Sequence, residues 1–343
     1  MTSVRGWVLG ASVVAVAVAI CAAVWAAFSA VLLLFTAVLL SAGLRPLIDR
    51  LAKRMPFGVA AGAAFGLFAI VVLGIAFALV QPLGGELVKL VQAVPDYAAA
   101  LQTQLAKAQK FFAADQTARQ IASAVAGSAG GAVSALGQRL LSGPTFVATA
   151  LGDGVLILLL AVGWTLSADD LQRFVLGLMP PAMRDDWQGA FAEMGTRLGA
   201  YVQGVVLNGA VVGVAMGGAL ALMGTPYAVL LGFITAIFQA IPMIGALISG
   251  LVILPVVLAT SGWTNMWIAL AIFGVVQGID QNVLSPIIFG QRVQLSFLLI
   301  ILSTIVGGTL FGIAGAFLAV PAAAVLQVVI VRIVAPALRK AQV

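Results

Sequence analysis

The sequence predicts an all-α fold: a polytopic membrane helical bundle with broken or re-entrant helical hairpins in its C-terminal half and a small extracytoplasmic helical insertion. Three observations lead there. Of the 343 residues, 63% are hydrophobic and 8% charged, with a mean hydropathy of +1.18, far from the roughly 45–50% apolar and 25% charged composition of a soluble domain. The apolar residues fall in runs near the ~20 needed to cross ~30 Å of hydrocarbon. The 17 basic residues, against 11 acidic ones, gather at the ends of those runs, which suits topology and lipid headgroups rather than nucleic acid.

The elements follow in order. The apolar stretch from Trp7 to about Leu40 is longer than the ~7–15-residue core of a secretion signal, and it divides into spans near 7–24 and 26–43 that are expected to be retained. RPLIDRLAKRMPF comes next. Arg45, Arg50, Lys53 and Arg54 in this short loop place it, and with it the amino terminus, in the cytoplasm. A third span over 58–81 completes an N-terminal transmembrane unit, 1–81.

Hydropathy falls over 82–145, where Leu87, Leu90, Val91 and Val94 keep the i, i+3, i+4, i+7 spacing of an amphipathic helix outside the membrane. The Gly/Ala/Ser-rich AVAGSAGGAVSALG that follows stays open between helix and loop. A span at 146–166 returns the chain to the cytoplasm, and 167–200 is a second amphipathic segment. It carries Asp169, Asp170, Asp185, Asp186 and Glu193 beside Arg173, Arg184 and Arg197. Asp169 and Asp170 follow Ser167 as helix-start residues, where a carboxylate suits the positive end of the helix dipole. That accounts for the pair better than a metal site does.

The C-terminal core, 201–343, is apolar but interrupted. Its runs cover about 201–223, 226–241, 246–260, 264–285, 294–311 and 314–335, several too short to cross comfortably. The interruptions are IPMIGA at 241–246, LSPIIFG at 284–290 and GTLFGIAGA at 308–316, with Pro242, Gly245, Pro286 and Gly290 as hairpin breaks. Broken backbone at membrane depth persists only where protein or a wet cavity satisfies it. Re-entrant hairpins over 226–260 and 294–335 meet that condition; ordinary hairpins with short loops are the alternative. Gly209, Gly213 and Gly217 repeat every fourth position, as do Gly58, Gly62 and Gly66, giving stripes along which helices approach closely.

Between Met194 and Val343 the chain holds one acidic residue, Asp280. On a helix it shares a face with Gln277 and Gln281. An ionised carboxylate there costs about 2.5–3.5 kcal/mol on insertion scales, which makes it a functional candidate. Neutralised by a proton or a cation, it would couple to ion movement. Two structural readings compete: a wet position near the interface, or a bridge to Arg292, which lies about 18 Å away along an unbroken helix and nearer if Pro286 and Gly290 fold the chain back. Gln239 stands ahead of the IPMIG break, where free carbonyls suit a cation or hydroxylated solute, or else it bonds a neighbouring helix. Gln203, Asn208, Asn265, Ser285, Gln291, Gln294 and Ser296 are the other polar residues of this half.

Enzyme classes drop out on residue types. The chain has no histidine and one cysteine, Cys21, inside an apolar run. Histidine-activated nucleophiles, the usual transition-metal sites and an internal disulfide framework are thereby removed. One deep aspartate is not the pair an aspartyl protease needs, and no GxxxxGK[ST] marks an ATP-driven pump. No catalytic residue, cofactor or metal is expected.

RPLIDRLAKR, LVQAVPDYAAAL, RLGAYVQGVVLNGAVVGVAMGGALALMGTPYAVLLGF, IPMIGALISGLVILPVV, QGIDQNVLSPIIFGQRV and VGGTLFGIAGAFLAVPAAAVLQVV, in this order, resemble the AI-2E family of bacterial inner-membrane transporters, named for exporters of the quorum-sensing signal autoinducer-2. The match spans almost the whole chain. It departs at Ala246, where members commonly carry proline, and at Ser296-Phe297, where they commonly carry His-Pro. The resemblance implies a homo-oligomer, a pentamer, in the bacterial inner membrane, exporting a small polar solute with H⁺ or Na⁺ as a possible coupled ion. Asp280, Gln277, Gln239 and Arg292 would then serve transport and coupling, with membrane lipid and no nucleic acid as further partners. A sodium/proton antiporter is the first alternative. The second is a non-transporting structural or regulatory protein whose outer helical region recruits partners.

Overall fold

The computed structural model describes Phe28 and residues 30–111, 144–241, 244–289 and 295–340. No strand occurs among them. The helices are α1 (Ala30–Leu51), α2 (Phe57–Phe111), α3 (Pro144–Gly177), α4 (Pro181–Leu222) and α5 (Ala228–Phe238). Then come α6 (Ile244–Ile279), a π turn (Asp280–Leu284) and α7 (Ser285–Phe289), followed by α8 (Phe297–Val329), a second π turn (Ile330–Val334) and α9 (Ala335–Lys340). Among the described residues six stretches are long and apolar enough to cross a membrane, so this is a multi-pass membrane protein.

Several boundaries differ from the sequence reading. The span at 7–24 and the AVAGSAGGAVSALG stretch lie outside the described residues. α1 runs to Leu51, so Arg45 and Arg50 stand on its last turns rather than in a loop; cations there meet the negative end of the helix. Arg45 Nε donates to Asp49 Oδ1 at 3.0 Å, and its guanidinium lies 5.2 Å above the Phe57 ring. α2 passes position 82 without a break, so the fall in hydropathy marks a change of surface, not of backbone. Asp169 and Asp170 are not helix-start residues, because α3 continues through them and Asp170 pairs with Arg173 a turn on. The true start lies at Pro180-Pro181: Pro180 is extended (φ −55°, ψ 142°), as a residue before proline prefers, and Pro181 opens α4 where its missing N–H costs nothing.

Lipid tails are as apolar as leucine, so close packing rather than hydrophobic burial holds helices together here. α4 and α5 show how. Gly209, Gly213 and Gly217 of α4 meet Ala228, Gly232 and Ala236 of α5, a second every-fourth-residue set of small side chains across the turn between them. A Cβ at Gly209 would lie 2.6 Å from the Ala236 carbonyl oxygen, and one at Gly217 3.2 Å from that of Ala228. This stripe therefore acts within the chain. Gly62 and Gly66 have open space instead.

Around that seam Met216, Leu220, Leu231, Ile253 and Val257 form one core; Ala37, Ile48, Ala60, Ala64 and Ala161 join α1, α2 and α3 in another; Leu39, Leu198 and Leu318 tie α1 to α4 and α8. Glu86 of α2 reaches across to α5, where its Oε2 accepts the Leu230 N–H at 3.0 Å. A carboxylate there satisfies an orphan donor and faces the positive helix end. Glu86→Ala is expected to cost about 1 kcal/mol, seen as a lower melting midpoint in detergent; an unchanged midpoint would remove the cap from the account.

α6 and α8 are each two helices. Gly262 (φ 78°, ψ −177°) breaks α6, a conformation closed to residues with a Cβ. Gly250 and Phe273, almost equidistant from it, come into contact, so 244–261 and 263–279 run antiparallel. Phe311 and Gly312 (φ 61°, ψ −146°) do the same to α8, where Gly307 faces the Gly315 backbone and a Cβ at Gly308 would lie 3.7 Å from Ala316. At 1.5 Å per residue, the 11 residues of α5 reach about 17 Å and the arm 297–310 about 21 Å, both short of the ~30 Å hydrocarbon core.

Candidate functional site

α5 stops at Phe238, and residues 239–241 turn the chain before α6. Gly245 rests directly against the Phe238 carbonyl, with no room for a Cβ between them. This tight closure presents Gln239 to the far end of α6, where its Nε2 donates to Asp280 Oδ2. Ser285 Oγ donates to the other oxygen, Asp280 Oδ1, at 3.1 Å. Five residues apart, Asp280 and Ser285 would diverge on an α-helix; the wider π turn brings them to one side. Its cause is Pro286, which lacks an N–H and crowds the carbonyl four residues earlier. The turn closes instead through the Ser285 N–H to Asp280 O.

LSPIIFG was read from sequence as a break; its described part, 284–289, is continuous helix that widens ahead of the proline. Gln277 lies one turn before Asp280 on the same face. Both are buried, 6% and 3% exposed. Gln277 Oε1 and Nε2 and Gln239 Oε1 are buried with no hydrogen-bond partner among the described residues. Orphaned polar atoms of this kind cost about 1–3 kcal/mol each, and native proteins seldom keep them without a reason. Three of them beside a carboxylate supply one donor group and several acceptors, the set a hydroxylated solute or a hydrated cation requires.

Asp280, Gln277 and Gln239, separate in sequence, therefore come together, with Gly245 as the closure. Arg292, Pro242 and Gly290 lie outside the described residues; among the described residues the partners of Asp280 are Gln239 and Ser285. Asn282 turns away, its Nδ2 donating to Gly278 O at 2.8 Å. Gln203 is spent on Gly43 O at 2.9 Å, Asn265 on Ser261 O at 3.2 Å, and Ser296 caps α8 through the Leu299 N–H.

Sequence reasoning missed Tyr201. It is 3% exposed, and its hydroxyl lies 3.4 Å from both Ala240 O, beside Gln239, and Phe317 O of α8. One donor is shared between the turn after α5 and α8; the signal in the sequence was a polar-tipped aromatic in an apolar run. A separate cavity of about 790 Å³ opens between α1, α3 and α4, with Arg45, Asp49 and Asp169 in its wall. None of the buried cluster lines it. The unpartnered amides, not the cavity's size, place the candidate site at Asp280.

The comparisons agree with a membrane transport role. Among curated relatives, YrrI of Bacillus subtilis (strain 168) is 30% identical over 161 residues, 47% of this chain and 45% of that protein. MT0215 of Mycobacterium tuberculosis (strain CDC 1551 / Oshkosh) is 28% identical over 170 residues, 50% and 46%. PerM of Escherichia coli (strain K12) is 32% identical over 139 residues, 40% and 39%. The aligned stretch spans less than half of each relative's length, and their names speak of transport proteins and a permease without a substrate. The model of the AI-2E family transporter matches residues 14–335, nearly the full length, and the chain belongs to that family.

Proposed function

We propose that this protein exports a small polar solute, such as an autoinducer-2-like polyol, through the cluster of Gln239, Gln277 and Asp280. The observation that carries the reading is the buried carboxylate flanked by unpartnered amide atoms where two helix interruptions meet. Carboxamides both donate and accept, as a hydroxyl does, and the short α5 and 297–310 arms fit helices that enter without crossing. The protein sits in the bacterial cytoplasmic membrane as a homo-oligomer, pentameric as the family suggests, with both termini in the cytoplasm. Asp280 favours a second reading, a sodium/proton antiporter in which the carboxylate holds a cation or a proton in turn.

The test is transport in proteoliposomes, following polyol flux and internal pH across imposed proton and sodium gradients for wild type and Asp280→Asn. Polyol flux that loses its gradient dependence in the variant supports export with Asp280 as the coupling group. Gradient-driven pH changes without polyol movement move the assignment to the antiporter, and folded protein silent in both assays refutes transport of either kind.

A further inference from the structure

The two C-terminal hairpins repeat one design. Gly262 and Gly312 turn them. π turns at Asp280–Leu284 and Ile330–Val334 interrupt their second arms, closed by Ser285 N–H to Asp280 O in one and Ala335 N–H to Ile330 O in the other. Pro286 and Pro336 stand two residues beyond those turns, and Gln277 and Gln327 three residues before them. Each pair is separated by 50 positions. The causes are independent, a left-handed φ that needs glycine and a missing N–H that widens a helix, so their common interval marks residues 247–289 and 297–339 as two copies of one unit.

The copies differ at the glutamine. Gln277 of the first has both amide atoms buried, with no partner among the described residues. Gln327 of the second is held: its Oε1 accepts from Arg197 Nη1 at 2.9 Å. Arg197 Nη2 also donates to Glu193 Oε1 at 2.6 Å, and Glu193 Oε2 receives Nε of Arg332, itself in the second copy's π turn. α4 and the second copy are thus clasped by one guanidinium–carboxylate–guanidinium chain, with Arg197 17% and Glu193 25% exposed. Its position along α4 is informative. Tyr201, one turn further on, reaches Ala240 at the buried site, whereas Arg184, Asp185, Asp186 and Glu193 make up the polar half on the other side. Arg197 stands between the two.

We infer that Arg197 on Gln327 is the inner gate of the pathway, a second polar station equivalent to Gln277 and closed in this conformation. The inference rests on the reading of the Asp280 cluster as the solute path. A solute passing from the polar end of α4 to Gln277 displaces Arg197 from Gln327 and takes its place on the glutamine carbonyl. Arg197 keeps Glu193 as it moves, so opening breaks one charge-assisted hydrogen bond and leaves no bare charge.

The test needs no substrate. In a Cys21→Ala background, Gln277→Cys is exposed to a membrane-impermeant methanethiosulfonate in inside-out vesicles, alone and combined with Gln327→Leu or Arg197→Gln. Either second change is expected to raise the modification rate about tenfold or more from the cytoplasmic side and to leave it unaltered in right-side-out vesicles. Gln327→Leu keeps the Arg197–Glu193–Arg332 chain whole, so it reports the gate even where Arg197→Gln fails to fold. Equal rates with and without Gln327→Leu in folded protein overturn the gate, as does a rise confined to the outer side. The proteoliposome flux of Asp280→Asn judges the solute path separately.

Discussion

Asp280→Asn is expected to reduce transport about 100-fold while leaving the melting midpoint unchanged or higher. The two halves of that result come from one balance. Asp280 accepts from Gln239 Nε2 and Ser285 Oγ on separate oxygens; asparagine keeps one oxygen for Gln239, its NH₂ replaces the other, and the Ser285 hydroxyl, which can donate or accept, turns to accept from it, so no new orphan is created. The substitution removes a charge whose placement among apolar helices costs about 2.5–3.5 kcal/mol. A carboxylate kept for structure behaves oppositely: a hydrogen bond to a charged group contributes about 1.5–3 kcal/mol, and weakening it lowers the midpoint. The direction of the midpoint shift thus separates the functional from the structural account, independently of flux. A 100-fold loss corresponds to about 2.7 kcal/mol at 1.36 kcal/mol per decade. A destabilised variant with normal transport per folded molecule would reverse the assignment.

How much of this was legible in the sequence depended on how local the cause was. Composition and run length carry the α-helical membrane fold, and a lone acid in an apolar half points to Asp280 because its cost needs no partner to be recognised. Gly312 falls inside the GTLFGIAGA interruption, so the tip of the 294–335 hairpin was visible; Gly262 stands in a three-residue gap between apolar runs that was not singled out, and the first hairpin was placed over 226–260 instead. The direction of the interruption at LSPIIFG was not visible either: Pro286 reads equally as a break or as a widened turn, and only the Ser285 N–H to Asp280 O bond decides.

Long-range partners were the least legible. Glu86 and Leu230 lie 144 positions apart, and Arg197 and Gln327 lie 130 apart, distances over which periodicity carries no information. The fifty-residue repeat was also hidden. Two runs of leucine, isoleucine, valine and alanine resemble each other whether or not they share an origin, and the few positions that identify the unit are the ones with a special backbone or a polar side chain. Asp169 and Asp170 misled for a related reason. Paired acids after a serine look like a helix start, but an i, i+3 pair with Arg173 serves them equally well in mid-helix.

Gly245→Ala is expected to be the most damaging single-methyl change near the site. The new Cβ would fall within bonding range of the Phe238 carbonyl, and both sides of that contact are backbone, so no side chain can rotate away. Relief requires α6 to move off the end of α5. A cost of about 3 kcal/mol follows from overpacking of this severity, and the displacement carries Gln239 away from Asp280, so transport should fall even in the fraction that remains folded. Gly274→Ala in the second arm of α6 is the control: its Cβ meets nothing within 4 Å, and replacing a mid-helix glycine by alanine gains up to about 1 kcal/mol. Midpoints measured in detergent should therefore move in opposite directions for the two variants. If Gly245→Ala melts with the wild type, the α5–α6 closure is looser than the Phe238 contact implies. The position of Gln239 would then have to come from the other ties on that turn, the Gly245 N–H to Ile241 O at 2.8 Å and the Tyr201 hydroxyl at Ala240 O.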